Sequence, residues 1–315
     1  MQLQILLDCI LVIISILMLW KGADWLVDSA AEIAHSFKIS DLIIGLTIVA
    51  FGTSAPEFAV TISAAFTKQT DISIGNVIGS NIFNLGFILG GTAIIRPITV
   101  SQKLFNRDGL FLLMSTALIF ILFFGINGWD IYDSFTQIEG CILFFMLIGY
   151  IIFLFIKKDP PEEVHPNTAT KLSYLFFLIG LILIVSGGHL MVEHASNVAR
   201  FMGISDWVIA VTIVAAGTSA PEFATSISAA LKGRHGIAVG NLIGSDLFNL
   251  LGVLGLAGII NPSSINQDIY SSTFILVLMV GLTLLMMRTF WRISRIEGFI
   301  LVSINLVRWY YDLSA

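Results

Sequence analysis

The stretch "ISDLIIGLTIVAFGTSAPEFAVTISAA", residues 39–65, occurs almost unchanged a second time as "ISDWVIAVTIVAAGTSAPEFATSISAA", residues 204–230. The copies align without gaps at an offset of 165, and 20 of 27 positions are identical. The register persists downstream, where "GNVIGSNIFNLG" (75–86) matches "GNLIGSDLFNLL" (240–251). Chance likeness between apolar helices does not place Gly, Thr, Ser, Pro and Glu at the same points. The chain reads as two related halves.

The composition says where those halves reside. The 315 residues are 57% hydrophobic and 12% charged, against about 25% charged in a soluble domain. Such a chain could not cover its surface in water, so it is an integral membrane protein. The net charge of −5 says little about partners, because most of the surface faces lipid. Cys9 and Cys141 both lie in apolar runs, which excludes a disulfide framework or thiolate metal site. The N-terminus lacks a basic region and a clear cleavage site and reads as a first span rather than a signal peptide.

A span needs about 20 mostly apolar residues. Segments of that kind lie near 3–20, 42–66, 72–95, 109–125, 136–156, 172–192, 207–231, 237–260, 271–288 and 297–313. The first and sixth continue as longer helices. All are expected to be helical, because open strand edges do not survive in lipid. The expected fold is therefore an all-α membrane protein of ten transmembrane helices. Residues 1–156 form one five-helix repeat, 157–171 a short cytoplasmic linker, and 172–315 the second repeat. Five is odd, so the second copy enters from the opposite side. Such inverted repeats are typical of secondary transporters.

Lys and Arg set the orientation. One side holds Lys38, Arg96, Lys103, Arg107, Lys157, Lys158, Lys171, Lys232, Arg234, Arg288, Arg292 and Arg295; the other holds Lys68, Arg200 and Arg308. The richer side is read as cytoplasmic, with both termini outside.

The chemistry sits in "GTSAPE", Gly52–Glu57 and Gly217–Glu222. Pro56 and Pro221 cannot donate backbone hydrogen bonds, so the carbonyls of Gly52 and Gly217 lose partners and the spans break there. Glu57 and Glu222 stand beside the breaks. An acid at mid-membrane costs on the order of 2.5–3.5 kcal/mol, and no Lys or Arg lies within 42–66, 72–95, 207–231 or 237–260. The remaining partners are protons or mobile cations. Thr53, Ser54, Thr218 and Ser219 lie about one turn before the acids. Asn76, Ser80 and Asn84 share one helix face, and so do Asn241, Ser245 and Asn249. Hydroxyl, amide, carbonyl and carboxylate oxygens suit hard cations such as Na⁺ and Ca²⁺. The five histidines lie outside these motifs. His189 and His194 could be proton-linked, or simply packed or solvated. Gly75 with Gly79, and Gly240 with Gly244, are expected to serve helix packing. Asp246, where the first copy has Asn81, lies at the edge of the ligand stripe. It is either a peripheral Na⁺ or proton site or a protonated packing residue.

The paired "GTSAPE" and "GN(V/L)IGS" motifs resemble the sodium/calcium exchanger family, within the wider cation/Ca²⁺ exchanger superfamily. The short linker resembles the minimal prokaryotic members. The resemblance implies an antiporter in the plasma membrane, the bacterial inner membrane for a prokaryotic member, that exchanges Na⁺ for Ca²⁺ by alternating access. It implies that Glu57 and Glu222 are central ligands. Thr53, Thr218, Ser54, Ser219, Ser80 and Ser245 flank them, with the carbonyls of Ala50 and Ala215 and the side chains of Asn84 and Asn249. Potassium-dependent members carry Asp where this chain has Asn249, which argues against K⁺ coupling. The alternative is a Ca²⁺/H⁺ or other divalent cation/H⁺ exchanger of the same fold. An enzyme is not expected, since HExxH and GxSxG are absent and no His lies near the acids. No cofactor, nucleotide or nucleic-acid partner is expected, and no Walker A run supports an ATP-driven pump.

Overall fold

In a computed structural model of the chain, the described residues are 2–124, 134–157, 159, 169–204, 213, 215–265 and 267–314. They are helical apart from two antiparallel pairs of two-residue strands. Here β1 Ile98–Thr99 pairs with β4 Arg292–Ile293, and β2 Ser134–Phe135 with β3 Ser263–Ser264. The helices are α1 Gln2–Ser36, α2 Asp41–Thr53, α3 Ala55–Phe66, α4 Thr70–Ile95, α5 Leu104–Phe123, α6 Gln137–Lys157, α7 Lys171–Phe201, α8 Ala215–Thr218, α9 Ala220–Leu231, α10 His235–Ile260, α11 Gln267–Arg288 and α12 Arg295–Ser314.

Among the described residues seven helices are long and apolar enough to cross a membrane, or eight if the bent pair α2–α3 counts as one span. Ten spans were expected. Of the other two, 207–231 begins outside the described residues, and 297–313 is present as α12, a 20-residue helix with four charged residues. The long first and sixth helices are as expected: α1 has 35 residues and α7 has 31. At 1.5 Å per residue both exceed the roughly 30 Å hydrocarbon core. They run antiparallel in close contact. A Cβ on Gly22 would stand 2.9 Å from the Gly180 carbonyl oxygen, and one on Gly187 3.1 Å from that of Ser15. These two contacts are related by the 165-residue offset.

The break in the GTSAPE helix falls at Ser54, not at Gly52. Ser54 has φ −79° and ψ 9°, and α2 and α3 meet at 51°. Proline is tolerated at the start of a helix, where its missing N–H has no partner to lose. The chain therefore restarts at Ala55 with Pro56 in the new first turn, and Ser54 becomes the hinge. Ser219 repeats the geometry, with φ −90° and ψ 8°. The α4 and α10 spans carry π-helical turns at nearly repeat-equivalent places, Asn84–Leu89 and Phe248–Val253. Such turns are frequent at functional sites.

The halves interlock. A Cβ on Gly298 of α12 would lie 2.5 Å from the Gly90 carbonyl oxygen of α4. One on Gly140 of α6 would lie 2.6 Å from the Gly255 carbonyl oxygen of α10. The last helix of each half thus packs on the other half, and the bare glycine surfaces make that approach possible.

The packing expected of the GNxIG glycines is seen among the described residues at Gly240 and Gly244. Cβ atoms on Gly240 and Gly244 would stand 2.8 and 2.7 Å from the Leu42 and Leu46 carbonyl oxygens of α2. Gly75 is exposed and Gly79 half-buried, with no described atom within 4 Å of such a Cβ. The segment that matches Leu42–Leu46 at the repeat offset, 207–211, lies outside the described residues.

Candidate ion-binding site

Each helix restart fixes an acid. Glu57 and Glu222 are the third residues of α3 and α9, and both are fully buried. A carboxylate in the first turn faces the positive end of the helix dipole, which lowers the cost of its charge. The hinge serines reach across the halves. Ser54 Oγ donates to Glu222 Oε1 at 3.0 Å, and Ser219 Oγ donates to Glu57 Oε1 at 2.9 Å. Ser245 Oγ of α10 also donates to Glu222 Oε1, at 3.4 Å.

A second layer holds the first. Thr53 Oγ1 lies 3.0 Å from Asn241 Oδ1, 3.4 Å from Ser245 Oγ and 3.3 Å from the Ala50 carbonyl. Asn241 Nδ2 donates to Ser226 Oγ at 3.3 Å. In the other half, Asn76 Nδ2 donates to Thr61 Oγ1 at 2.9 Å and to the Glu57 carbonyl at 3.3 Å. Thr61 and Ser226 were missed in the sequence. Both stand four residues after the glutamate, on its helix face, and that spacing was the available signal.

The donor count leaves oxygen to spare. Glu57 Oε2 and Glu222 Oε2 are buried without a hydrogen-bond partner. Leaving a buried polar oxygen unpaired is costly, more so when it carries charge. Among the described residues no ion pair reaches either acid, and no three of His, Cys, Asp and Glu converge as a metal-holding group. The donor set is therefore two carboxylates within neutral oxygens.

The remaining candidates divide. Ser80, Ser245, Asn84 and Asn249 are all buried on the faces that carry the stripe. Thr218 is half-buried beside Glu57. Ala215 opens α8. Asp246 stands apart from the serine–glutamate pairs: its Oδ1 accepts from Asn84 Nδ2 at 3.0 Å, and its Oδ2 has no partner. Asn81 and Asn249, the repeat counterparts of Asp246 and Asn84, are buried with neither amide atom paired. His189 and His194 lie away from the site. His189 is exposed beside Glu193, and His194 Nδ1 sits 2.8 Å from Asp8 Oδ1 at the far end of the α1–α7 pair. The site is not equally wrapped on its two sides. Asn241 is fully buried, whereas Asn76 on α4 is half-buried.

The family described as "Sodium/calcium exchanger protein" matches residues 8–156 and 172–311. The "Sodium/calcium exchanger MaX1" of Methanosarcina acetivorans is 31% identical over 95% of this chain and 96% of its own length. The "Inner membrane protein YrbG" of Escherichia coli is 32% identical over 88% of this chain and 87% of its own. A solved structure of the sodium-calcium exchanger NCX_Mj, soaked with zero Na⁺ and Ca²⁺, superposes with a TM-score of 0.84 at 31% identity, covering 96% of this chain and 98% of that one. With the family matched along both halves and the solved fold shared over nearly the whole length, this multi-pass membrane chain belongs to the sodium/calcium exchanger family.

Proposed function

We propose that the protein is a secondary antiporter that exchanges Na⁺ for Ca²⁺ at a midplane site between two inverted five-helix repeats. The observation that carries this reading is the reciprocal pair Ser54–Glu222 and Ser219–Glu57, with a second oxygen of each acid left unpaired. Two buried carboxylates without a basic partner need a cation. One Ca²⁺ or several Na⁺ neutralise them equally well. Glu57 and Glu222 act as central ligands, flanked by Thr53, Ser54, Ser80, Thr218, Ser219 and Ser245. The carbonyls of Ala50 and Ala215 and the side chains of Asn84 and Asn249 complete the set. Asp246 with Asn84 serves one of the Na⁺ ions.

An empty cage would keep an unscreened pair of charges in a medium of low dielectric constant, where repulsion is strong. Rearrangement of the halves is then favoured only with ions bound, which enforces exchange over leak. The richer Lys and Arg side is cytoplasmic in this reading, with both termini outside and the inner membrane of a prokaryote as the site of action. The closed seam at Gly240 and Gly244 then faces the cytoplasm. Asp246, buried with one unpaired oxygen, is also the observation that favours the rival reading, a Ca²⁺/H⁺ exchanger.

Isotope flux into proteoliposomes, with Na⁺, K⁺ and H⁺ gradients imposed one at a time, tests the reading. Ca²⁺ uptake is expected to follow the Na⁺ gradient alone. Uptake that follows pH and ignores Na⁺ overturns the coupling and favours the rival.

A further inference from the structure

The two halves differ in charge at the turn beside the closed seam. The α9–α10 turn carries Lys232, Gly233 and Arg234; the α3–α4 turn that matches it at the repeat offset carries Thr67, Lys68 and Gln69. The flanking cations are therefore found in one copy only. Lys232 Nζ lies 3.0 Å from Asp24 Oδ1 and 2.8 Å from Asp28 Oδ2, one turn apart on α1. Its Nζ also donates to the Asp24 carbonyl at 3.0 Å, and Ser228 Oγ donates to Asp24 Oδ1 at 3.0 Å. Arg234 Nη1 lies 3.4 Å from Asp41 Oδ2 at the start of α2. Arg96, at the end of α4, donates to the Leu231 carbonyl of the same turn.

The Arg234–Asp41 pair sits at the rim of the closed seam, where Gly240 and Gly244 of α10 meet α2, and the Lys232 pairs hold the same turn to α1. Opening that seam separates α2 from α10 and must pull Asp41 from Arg234. At the repeat-related positions on α7, Asp24 and Asp28 are replaced by His189 and Glu193. Those two are exposed and face each other at 3.9 Å. A transporter with two equivalent halves would have inward- and outward-facing states of equal energy, because each is the other turned over. Something unequal must decide which is preferred.

We propose that Lys232 and Arg234, with Asp24, Asp28 and Asp41, form a one-sided ionic latch that biases the protein toward the state with the α2–α10 seam closed. The inference rests on the alternating-access reading above. Its cause is local: Arg234 with Asp41 bridges the α9–α10 turn and α2 across the shut seam, and Lys232 anchors the same turn to α1, so together they stabilise one member of an otherwise balanced pair of states. Partly exposed pairs of this kind are individually weak and weaken further in salt, which suits a latch that must open in each cycle.

The test requires no ion flux, so its failure is separable from failure of the exchange reading. In a chain with Cys9→Ser and Cys141→Ser, Ile237→Cys puts a reporter thiol in the buried wall of the closed seam, where the Ile237 backbone stands against Gly45 of α2. Its reaction with a membrane-impermeant maleimide is timed in sidedness-controlled vesicles. Adding Lys232→Gln with Arg234→Gln is expected to speed labelling several-fold, up to about tenfold, the order given by a few partly exposed pairs. Raising the salt is expected to speed labelling of the parent and leave the double variant unchanged. Exchanging the charges, with Asp24→Lys and Lys232→Asp, is expected to return the rate toward the parent's. If the double variant fails to insert, Thr67→Lys with His189→Asp builds the counterpart of the Lys232–Asp24 pair on the α3–α4 turn. That pair is expected to slow labelling of Gly75→Cys. Equal labelling in the double variant and its parent, or no slowing by the transplanted pair, overturns the latch.

Discussion

Ser54 and Glu222 come from opposite halves of the chain, and the serine hydroxyl donates to the Glu222 carboxylate at 3.0 Å. Because Ser219 does the same for Glu57, each half holds the other half's acid. Removing Ser219 takes the hydroxyl donor from Glu57 Oε1, and removing Ser54 leaves Glu222 Oε1 with the longer bond from Ser245. Ser54→Ala and Ser219→Ala are each expected to weaken Ca²⁺ binding about tenfold, the cost of one hydrogen bond to a charged group. Titration calorimetry on purified protein reads this. Two variants with unchanged affinity would show that the hydroxyls do not orient the ligands.

Glu57→Gln or Glu222→Gln removes one of two charges while keeping the shape. A single carboxylate cannot neutralise a divalent ion, so Na⁺-dependent Ca²⁺ transport in proteoliposomes is expected to fall more than a hundredfold, as for loss of a buried ionic partner. Near-normal transport in either variant removes the acids from the centre of the site.

Asp246→Asn makes the second repeat match Asn81 of the first and keeps the acceptor that faces Asn84. The expected result is Ca²⁺ affinity within about threefold of the parent, in keeping with an intact Glu pair, but a lower Hill slope for Na⁺ in exchange assays. An unchanged Na⁺ dependence would make Asp246 a packing residue.

Much of this site was legible in the sequence, and the reason is chemical. Proline, glycine and glutamate in an apolar span are each costly, so their joint recurrence marked the broken helices and the central acids before any coordinates. What the sequence could not show was the pairing across the halves, because Ser54 stands three residues from Glu57 and its nearest acid in sequence is not its partner. The hinge moved from Gly52 to Ser54 because the proline starts a helix there instead of interrupting one.

At the end of α6, outside the span, Asp159 forms an ion pair with Lys103 at 3.3 Å and another with Arg107. Burial works to raise its carboxyl, but the Arg107 hydrogen bond and charge, with Lys103, hold it below the ordinary value of 3.8. A depressed carboxyl stabilises the fold above its unfolded value, and that contribution is lost as the pH falls through the lower folded one. Asp159→Asn is expected to cost about 0.5–1 kcal/mol near neutral pH and nothing in strong acid. Thermal unfolding in detergent at both pH values checks the sign.

Gly298→Val would drive a branched side chain into the Gly90 backbone of α4, which a Cβ alone already approaches to 2.5 Å. Overpacking of that size costs about 1–3 kcal/mol, expected as a lower melting temperature with retained helical content. A melting temperature equal to the parent's would mean that α12 can move away freely.

That glycine seam between α12 and α4 also bears on how the chain is made. A ribosome delivers α4 early and α12 at the end, so the nascent membrane domain must hold a bare backbone groove open until its last partner arrives. The same holds, over a shorter wait, for the bare backbone of α6 at Gly140, whose partner Gly255 arrives with α10. Premature pairing with a neighbouring molecule's α12 would produce an exchanged dimer with identical contacts, so the crowding of unfinished chains, rather than the stability of finished ones, sets the hazard in its biogenesis.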